Sequence, residues 1–150
     1  MMVNHCRKVN RMKRNNSRIK ALIVLYNYDL MNEIIDNDYL NNLLRENPDV
    51  EIDEEFFQEI VDGVLNNLDQ INRIINLNLK KWSLDRMAIV DRNLMRIATY
   101  EMLYTQTPNN IIINEILNLT HEYSELDEGL ESKFNNKLLD QIRKSIDGKQ

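Results

Sequence analysis

Turn-making chemistry is scarce in this chain. Its 150 residues contain three glycines (Gly63, Gly129, Gly148) and two prolines (Pro48, Pro108). A fold built from many short strands needs far more tight turns than these residues can make. Apolar residues make up 43% of the sequence, enough for one domain with a packed core. No stretch alternates apolar and polar residues long enough to argue a strand, so helix remains. Asn is abundant and a mediocre helix former, so these helices must lean on packing more than on propensity.

The spacing of apolar residues predicts about seven helices. Ile19, Leu22, Ile23, Tyr26 and Leu30 repeat at helical intervals after Ser17, a candidate N-cap, and Ile34 extends the stripe. A short second helix is expected over 38–45, broken by Asn47, Pro48 and Asp49. Asp53 is placed to cap a third helix, with Glu54 and Glu55 at the positive end of its dipole and a stripe from Phe57 through Ile60, Val61, Val64 and Leu65 to Leu68. The spacing predicts a fourth helix over 70–81 with Ile71, Ile74 and Ile75. Ser83 opens a fifth segment. From Asp91 to Tyr104 apolar residues nearly surround the axis, as in a central helix. Pro108 and Asn109–Asn110 introduce a sixth helix, and Asp127–Gly129 is expected as a loop. A seventh helix carries Phe134, Leu138, Ile142 and Ile146 and stops at Gly148. The fold class is all-α, as one compact bundle or two small bundles side by side.

The net charge of −5 conceals an asymmetry. Seven of the 19 basic residues (Arg7, Lys8, Arg11, Lys13, Arg14, Arg18, Lys20) precede the first acid, Asp29, which leaves −12 over the rest of the chain. A cationic leader on an anionic body suits phosphate contact, because clustered Lys and Arg release condensed counterions when they bind nucleic acid. The alternative is a solvated tail that aids solubility. Residues 1–16 carry few large apolar groups and are expected as a flexible basic arm, with 17–150 as the helical domain.

Catalytic chemistry is hard to find. The two histidines, His5 and His121, lack the Glu-x-x-His and His-Glu-x-x-His spacings of metal-binding helices. Cys6 is the single cysteine and can build neither a zinc site nor an internal disulfide, which fits a reducing cytosol. No glycine-rich phosphate or dinucleotide loop is present, and the acidic run from Glu51 to Glu59 lacks the Gly of a calcium loop. No metal, no cofactor and no enzymatic activity are expected. The apolar run from Ala21 to Tyr26 is too short to span a bilayer, and no signal peptide is expected. Tyr26, Tyr100, Tyr104 and Trp82 lie at or beside apolar stripes and default to packing. Phe134, beside Lys133 and before Asn135 and Asn136, could stack a base, but core packing is favoured on spacing alone.

Three stretches carry a resemblance: 17–29, ending Ala21-Leu22-Ile23-Val24-Leu25-Tyr26-Asn27-Tyr28-Asp29; 90–103, reading Val90-Asp91-Arg92-Asn93-Leu94-Met95-Arg96-Ile97-Ala98-Thr99-Tyr100-Glu101-Met102-Leu103; and Pro108 followed by Ile113-Asn114-Glu115 and Leu119. In order and spacing they resemble the NusB family over nearly the whole chain. One departure stands out. Where the family usually closes with Phe-Val-Asn-Gly-Val-Leu-Asp, this chain reads Phe134-Asn135-Asn136-Lys137-Leu138-Leu139-Asp140, with a lysine in place of the glycine.

The resemblance implies an all-α fold of two packed helical subdomains. It implies transcription antitermination: binding of the single-stranded boxA element of ribosomal RNA leader transcripts, together with ribosomal protein S10 (NusE), in an elongation complex with RNA polymerase and other Nus factors. Carried over by position, Arg14 and Arg18 contact RNA phosphates, Lys133 and Phe134 face the same RNA, and Tyr26 and Asp91 meet S10. Charge extends the RNA set to Arg11 and Lys13, and base-edge bonding extends it to Asn136. A cytoplasmic monomer or homodimer is expected. A helical protein adaptor with weak or no RNA affinity is the competing reading. A methyltransferase fragment is a remote third, because a related helical domain precedes the catalytic part of some ribosomal RNA cytosine methyltransferases, and no glycine-rich cofactor segment follows here.

Overall fold

The structure, a computed structural model, describes residues 2–44, 50–124 and 130–148. The breaks expected at Asn47–Asp49 and Asp127–Gly129 lie outside the described residues. Among the described residues there are seven α-helices and no strand: α1 Met2–Met31, α2 Asn37–Leu44, α3 Glu54–Asn66, α4 Leu68–Leu77, α5 Ile89–Tyr104, α6 Asn109–Tyr123 and α7 Leu130–Asp147, with a short 3-10 turn at Leu84–Arg86 before α5. They form two compact units, Met1–Val61 and Asp62–Gln150, divided within α3.

In the first unit, α1 begins at Met2 rather than at Ser17. The basic segment expected as a flexible arm is the N-terminal half of this helix. It holds no Gly or Pro, and a helix nucleated downstream propagates readily through Arg, Lys and Met. Ser17 is therefore not a cap. It is buried mid-helix, where its hydroxyl donates to the Lys13 carbonyl at 2.7 Å and accepts from the Asp53 backbone N–H at 2.9 Å. Asp53 caps α3 as expected, its Oδ1 accepting from the Phe56 N–H at 3.1 Å. Lys20, also buried, crosses from α1 to Glu54 at 2.9 Å and lies 4.3 Å from the centroid of the Phe57 ring. α1 ends at Asn32, whose φ of 56° is the left-handed conformation that closes many helices, with its N–H bonded to the Tyr28 carbonyl at 2.7 Å. The buried apolar face of α1 is Ala21, Leu22, Val24 and Leu25. The expected stripe members Tyr26, Leu30 and Ile34 are exposed.

In the second unit, α5 packs against α4, α6 and α7 and is buried at nearly every position from Asp91 to Met102. That matches the apolar residues on most of its sides. α4 stops at Leu77, short of the expected 81, because the Asn78 side chain caps it by donating to the Ile74 carbonyl at 2.9 Å. Gly63 is where α3 meets α5: a Cβ there would sit 1.8 Å from Cε1 of the buried Tyr100 ring. On α7 the buried face is Asn135, Leu138, Leu139, Ile142 and Ile146, which leaves Phe134 half-buried at its edge. No helix among the described residues is long and apolar enough to cross a membrane.

Candidate nucleic-acid interface

The basic residues of α1 divide by burial. Arg11 and Arg14 are exposed and Lys13 is half-exposed, on a helix that presents them as a cationic edge. Each has intramolecular partners. Lys13 pairs with Glu51 at 3.4 Å, and the Arg14 guanidinium lies 4.8 Å from the Phe56 ring centroid. Exposed ion pairs of this kind contribute little and exchange readily for phosphate. Arg18 differs. It is 2% exposed, donates to Asn15 Oδ1 at 2.7 Å and lies 5.3 Å from the same Phe56 ring. Arg18, expected at an RNA phosphate, is turned into the fold, where it supports the start of α3 beside Ser17 and Asp53.

A second cluster belongs to the other unit. The first turns of α7 present Lys133, Phe134 and Lys137, and the segment after α4 presents Lys80, Lys81 and Trp82. The Trp82 and Phe134 rings touch, with centroids 5.7 Å apart and planes inclined by 54°. Together with Lys80, Lys81, Lys137, Leu138 and Gln141 they line a cleft of about 340 Å³. Sequence reasoning assigned Trp82 to packing and left Lys80 and Lys81 unremarked. The signal was present in the Lys80-Lys81-Trp82 succession, cations beside a flat ring.

Asn136 is not part of this cleft. Two positions beyond Phe134, it points to another face of α7 and lines a polar groove of about 470 Å³ with Asn109, Asn110 and Asn114. Arg143 borders that groove but is held by Asp140 at 2.6 Å. Hydrogen bonds from Arg143 and then Lys144 keep the Asp140 carboxyl below its ordinary value.

The two expected S10-facing residues also part company. Tyr26 is on the surface of α1, four positions before exposed Leu30, so an aromatic and an apolar side chain share one outer face. Asp91 is 1% exposed, in the first turn of α5. Its carboxylate accepts from Asn135 Nδ2 at 3.3 Å and from Ser124 Oγ at 3.4 Å, and so joins α5 to α7 and to the end of α6. Asp91, expected to meet S10, is turned inward and ties these helices together, at a helix N-terminus that favours a buried carboxylate.

A model of the NusB family matches residues 15–144. A Bacillus cereus (strain B4264) protein described as transcription antitermination protein NusB is 33% identical over 136 residues, which are 90% of this chain and 100% of that relative. A relative of the same description from Bacillus anthracis (strain A0248) is equally similar. Among solved structures, NusB of T. maritima aligns with a TM-score of 0.68 at 30% identity over 87% of this chain and 90% of that one. A chain from a crystal structure of the antitermination factors NusB and NusE in complex with dsRNA aligns with a TM-score of 0.71 at 26% identity, over 89% and 97% of the two chains. The aromatic cleft and the buried aspartate lie within the matched stretch, the exposed cations of α1 lie just before it, and the chain belongs to the NusB family.

Proposed function

We propose that this chain is a transcription antitermination factor that binds a boxA-type single strand of ribosomal RNA leader transcripts jointly with ribosomal protein S10 (NusE). The carrying observation is 33% identity to a transcription antitermination protein NusB over that protein's full length. A structural relative found with NusE and double-stranded RNA supports both partners. In this reading the protein acts by binding and has no enzymatic activity. It works in the cytoplasm, within an elongation complex that includes RNA polymerase and other Nus factors.

Arg11, Lys13 and Arg14 supply phosphate contacts from α1, and Lys133 and Phe134 supply a cation and a ring from α7. Asn136 offers a base-edge amide from its own groove, and Tyr26 stands on the S10-facing surface. Attraction to phosphate from such an edge is sequence-tolerant and falls with salt. Choice of sequence comes from stacking and base-edge bonds, which need unpaired bases. The acidic remainder of the chain discourages indiscriminate RNA coating and attracts a basic ribosomal protein.

Two measurements test the reading. Recovery of NusE on the immobilised protein is expected to rise when boxA RNA is added, because coupling between the two ligands is reciprocal. Arg11→Ala with Arg14→Ala is expected to weaken RNA binding about tenfold at low salt with helicity unchanged, and to flatten the log K against log salt slope by about 1.4, roughly 0.7 per lost phosphate contact on a single strand. Equal affinity and equal slope in the double variant would remove α1 from RNA binding. Burial of Arg18 favours the second reading, a protein adaptor with little RNA affinity. In that case NusE is recovered equally with and without RNA.

A further inference from the structure

Trp82 is the chain's single tryptophan, and it is left 49% exposed. Burying such a ring is among the larger contributions one side chain can make to a fold, and here half of that gain is forgone. The segment that carries Trp82 is nevertheless fixed on both sides. Asn76 Oδ1 accepts from the Leu84 N–H at 2.9 Å, Leu84 itself is buried, and Asn78 bonds to Ser145 of α7 at 3.0 Å. An exposed ring on an anchored loop is already ordered before any ligand arrives, which lowers the entropic cost of binding.

Its surroundings narrow the ligand. Lys80, Lys81 and Lys137 line the cleft, all exposed, and among the described residues no acidic side chain lines it, in a chain of net charge −5. None of the three makes an ion pair among the described residues. Gln141, half-buried in the cleft wall, makes no hydrogen bond among the described residues either. A flat apolar face, several cations and one amide match a nucleotide: a π-face to stack, phosphates to neutralise and a base edge to bond. An acidic peptide would use the lysines but not the ring, and an apolar helix would use the ring but leave the lysines in water.

The geometry points to a base-stacking subsite: one unpaired nucleotide of the RNA is received in this cleft, its base on the open face of Trp82, its flanking phosphates on Lys80, Lys81 and Lys137, and Gln141 at its edge. The Trp82 and Phe134 rings already touch at 5.7 Å, so the base does not enter between them but extends the pair as a third ring. This rests on the RNA-binding reading above and names which residues of the second unit carry the stack.

Trp82 reports on itself, because no other tryptophan contributes to the emission. The test follows Trp82 fluorescence and the anisotropy of labelled RNA in one titration of the full chain. A boxA-type single strand is expected to quench the emission in step with binding, and the fully paired duplex of the same sequence to leave it unchanged. Trp82→Ala is expected to weaken single-strand binding about 5- to 150-fold, with Trp82→Phe within a few-fold of the parent and helicity the same in all three. Single-strand binding with silent Trp82, equal quenching by the duplex, or parental affinity in Trp82→Ala would each overturn the subsite while leaving RNA binding standing. Quenching by NusE but not by RNA would assign the cleft to a protein and overturn it too. Absence of any RNA binding by the parent chain would sink both the subsite and the function it rests on.

Discussion

Gly63→Ala lowers the unfolding free energy by about 2 kcal/mol, although alanine is the better helix former. The added Cβ would stand 1.8 Å from Cε1 and 2.3 Å from Cζ of Tyr100, closer than carbon atoms approach. Either α3 backs away from α5 or the Tyr100 ring leaves its buried seat. Overpacking of this kind costs about 1–3 kcal/mol and more where the neighbour cannot yield. Tyr100 sits on the most enclosed helix of its unit, so little room exists for it to yield. Against this, replacing a mid-helix glycine gains roughly 1 kcal/mol. Urea unfolding should show a lower midpoint at unchanged slope, and the melting temperature should fall by roughly 4–8 °C for a chain of this size. The cause is separable. In the Tyr100→Leu background the same Gly63→Ala change should cost little or even stabilise, a non-additivity that belongs to contacting residues. A simple additive pair would show that the ring is not the obstacle.

Asp91→Ala lowers stability by about 2–4 kcal/mol, the range for removing one partner from a buried bonded charge site. The Asn135 side-chain nitrogen and the Ser124 hydroxyl lose their acceptor at the point where α5, α6 and α7 meet. Asn135 has little in reserve. Its bond to Thr120 Oγ1 is 3.5 Å long, and its Oδ1 accepts nothing among the described residues. Asp91→Asn keeps the shape and is expected to cost about half as much, with its amide partly replacing the carboxylate. The result bears on function as well as folding. If Asp91 positions helices and the chain binds NusE as proposed, that binding should weaken only in proportion to the unfolded fraction, and a folded Asp91→Asn protein should bind NusE nearly as the parent does. A folded, fully stable Asp91→Ala chain that fails to bind NusE would restore the direct contact.

Most of the helical layout was legible along the chain because its causes are local. Breakers and caps act within a turn or two: Pro108 before α6, Asp53 at the head of α3, Gly148 after α7. The enclosure of α5 was legible as well, because a helix apolar on most sides can be satisfied only at a centre. Facing was not legible in α1. Six consecutive apolar residues from Ala21 to Tyr26 offer several equally good stripes, and what packs against them selects one. The selected face buries Ser17, Arg18 and Lys20 and exposes Tyr26, Leu30 and Ile34. Polar burial of that kind becomes favourable only through partners remote in sequence, Ser17 with Asp53 and Lys20 with Glu54, and no periodicity announces them.

The same holds for the interface. Charge asymmetry identified the cationic leader, and residue order in three short stretches identified the family. Which cations reach solvent, that Asp91 faces inward, and that Trp82 meets Phe134 across 52 positions of chain all depend on helix packing. Spacing records which residues share a helix face. Packing of one helix on another assigns that face to core or to water, and it alone brings Trp82 and Phe134 into contact.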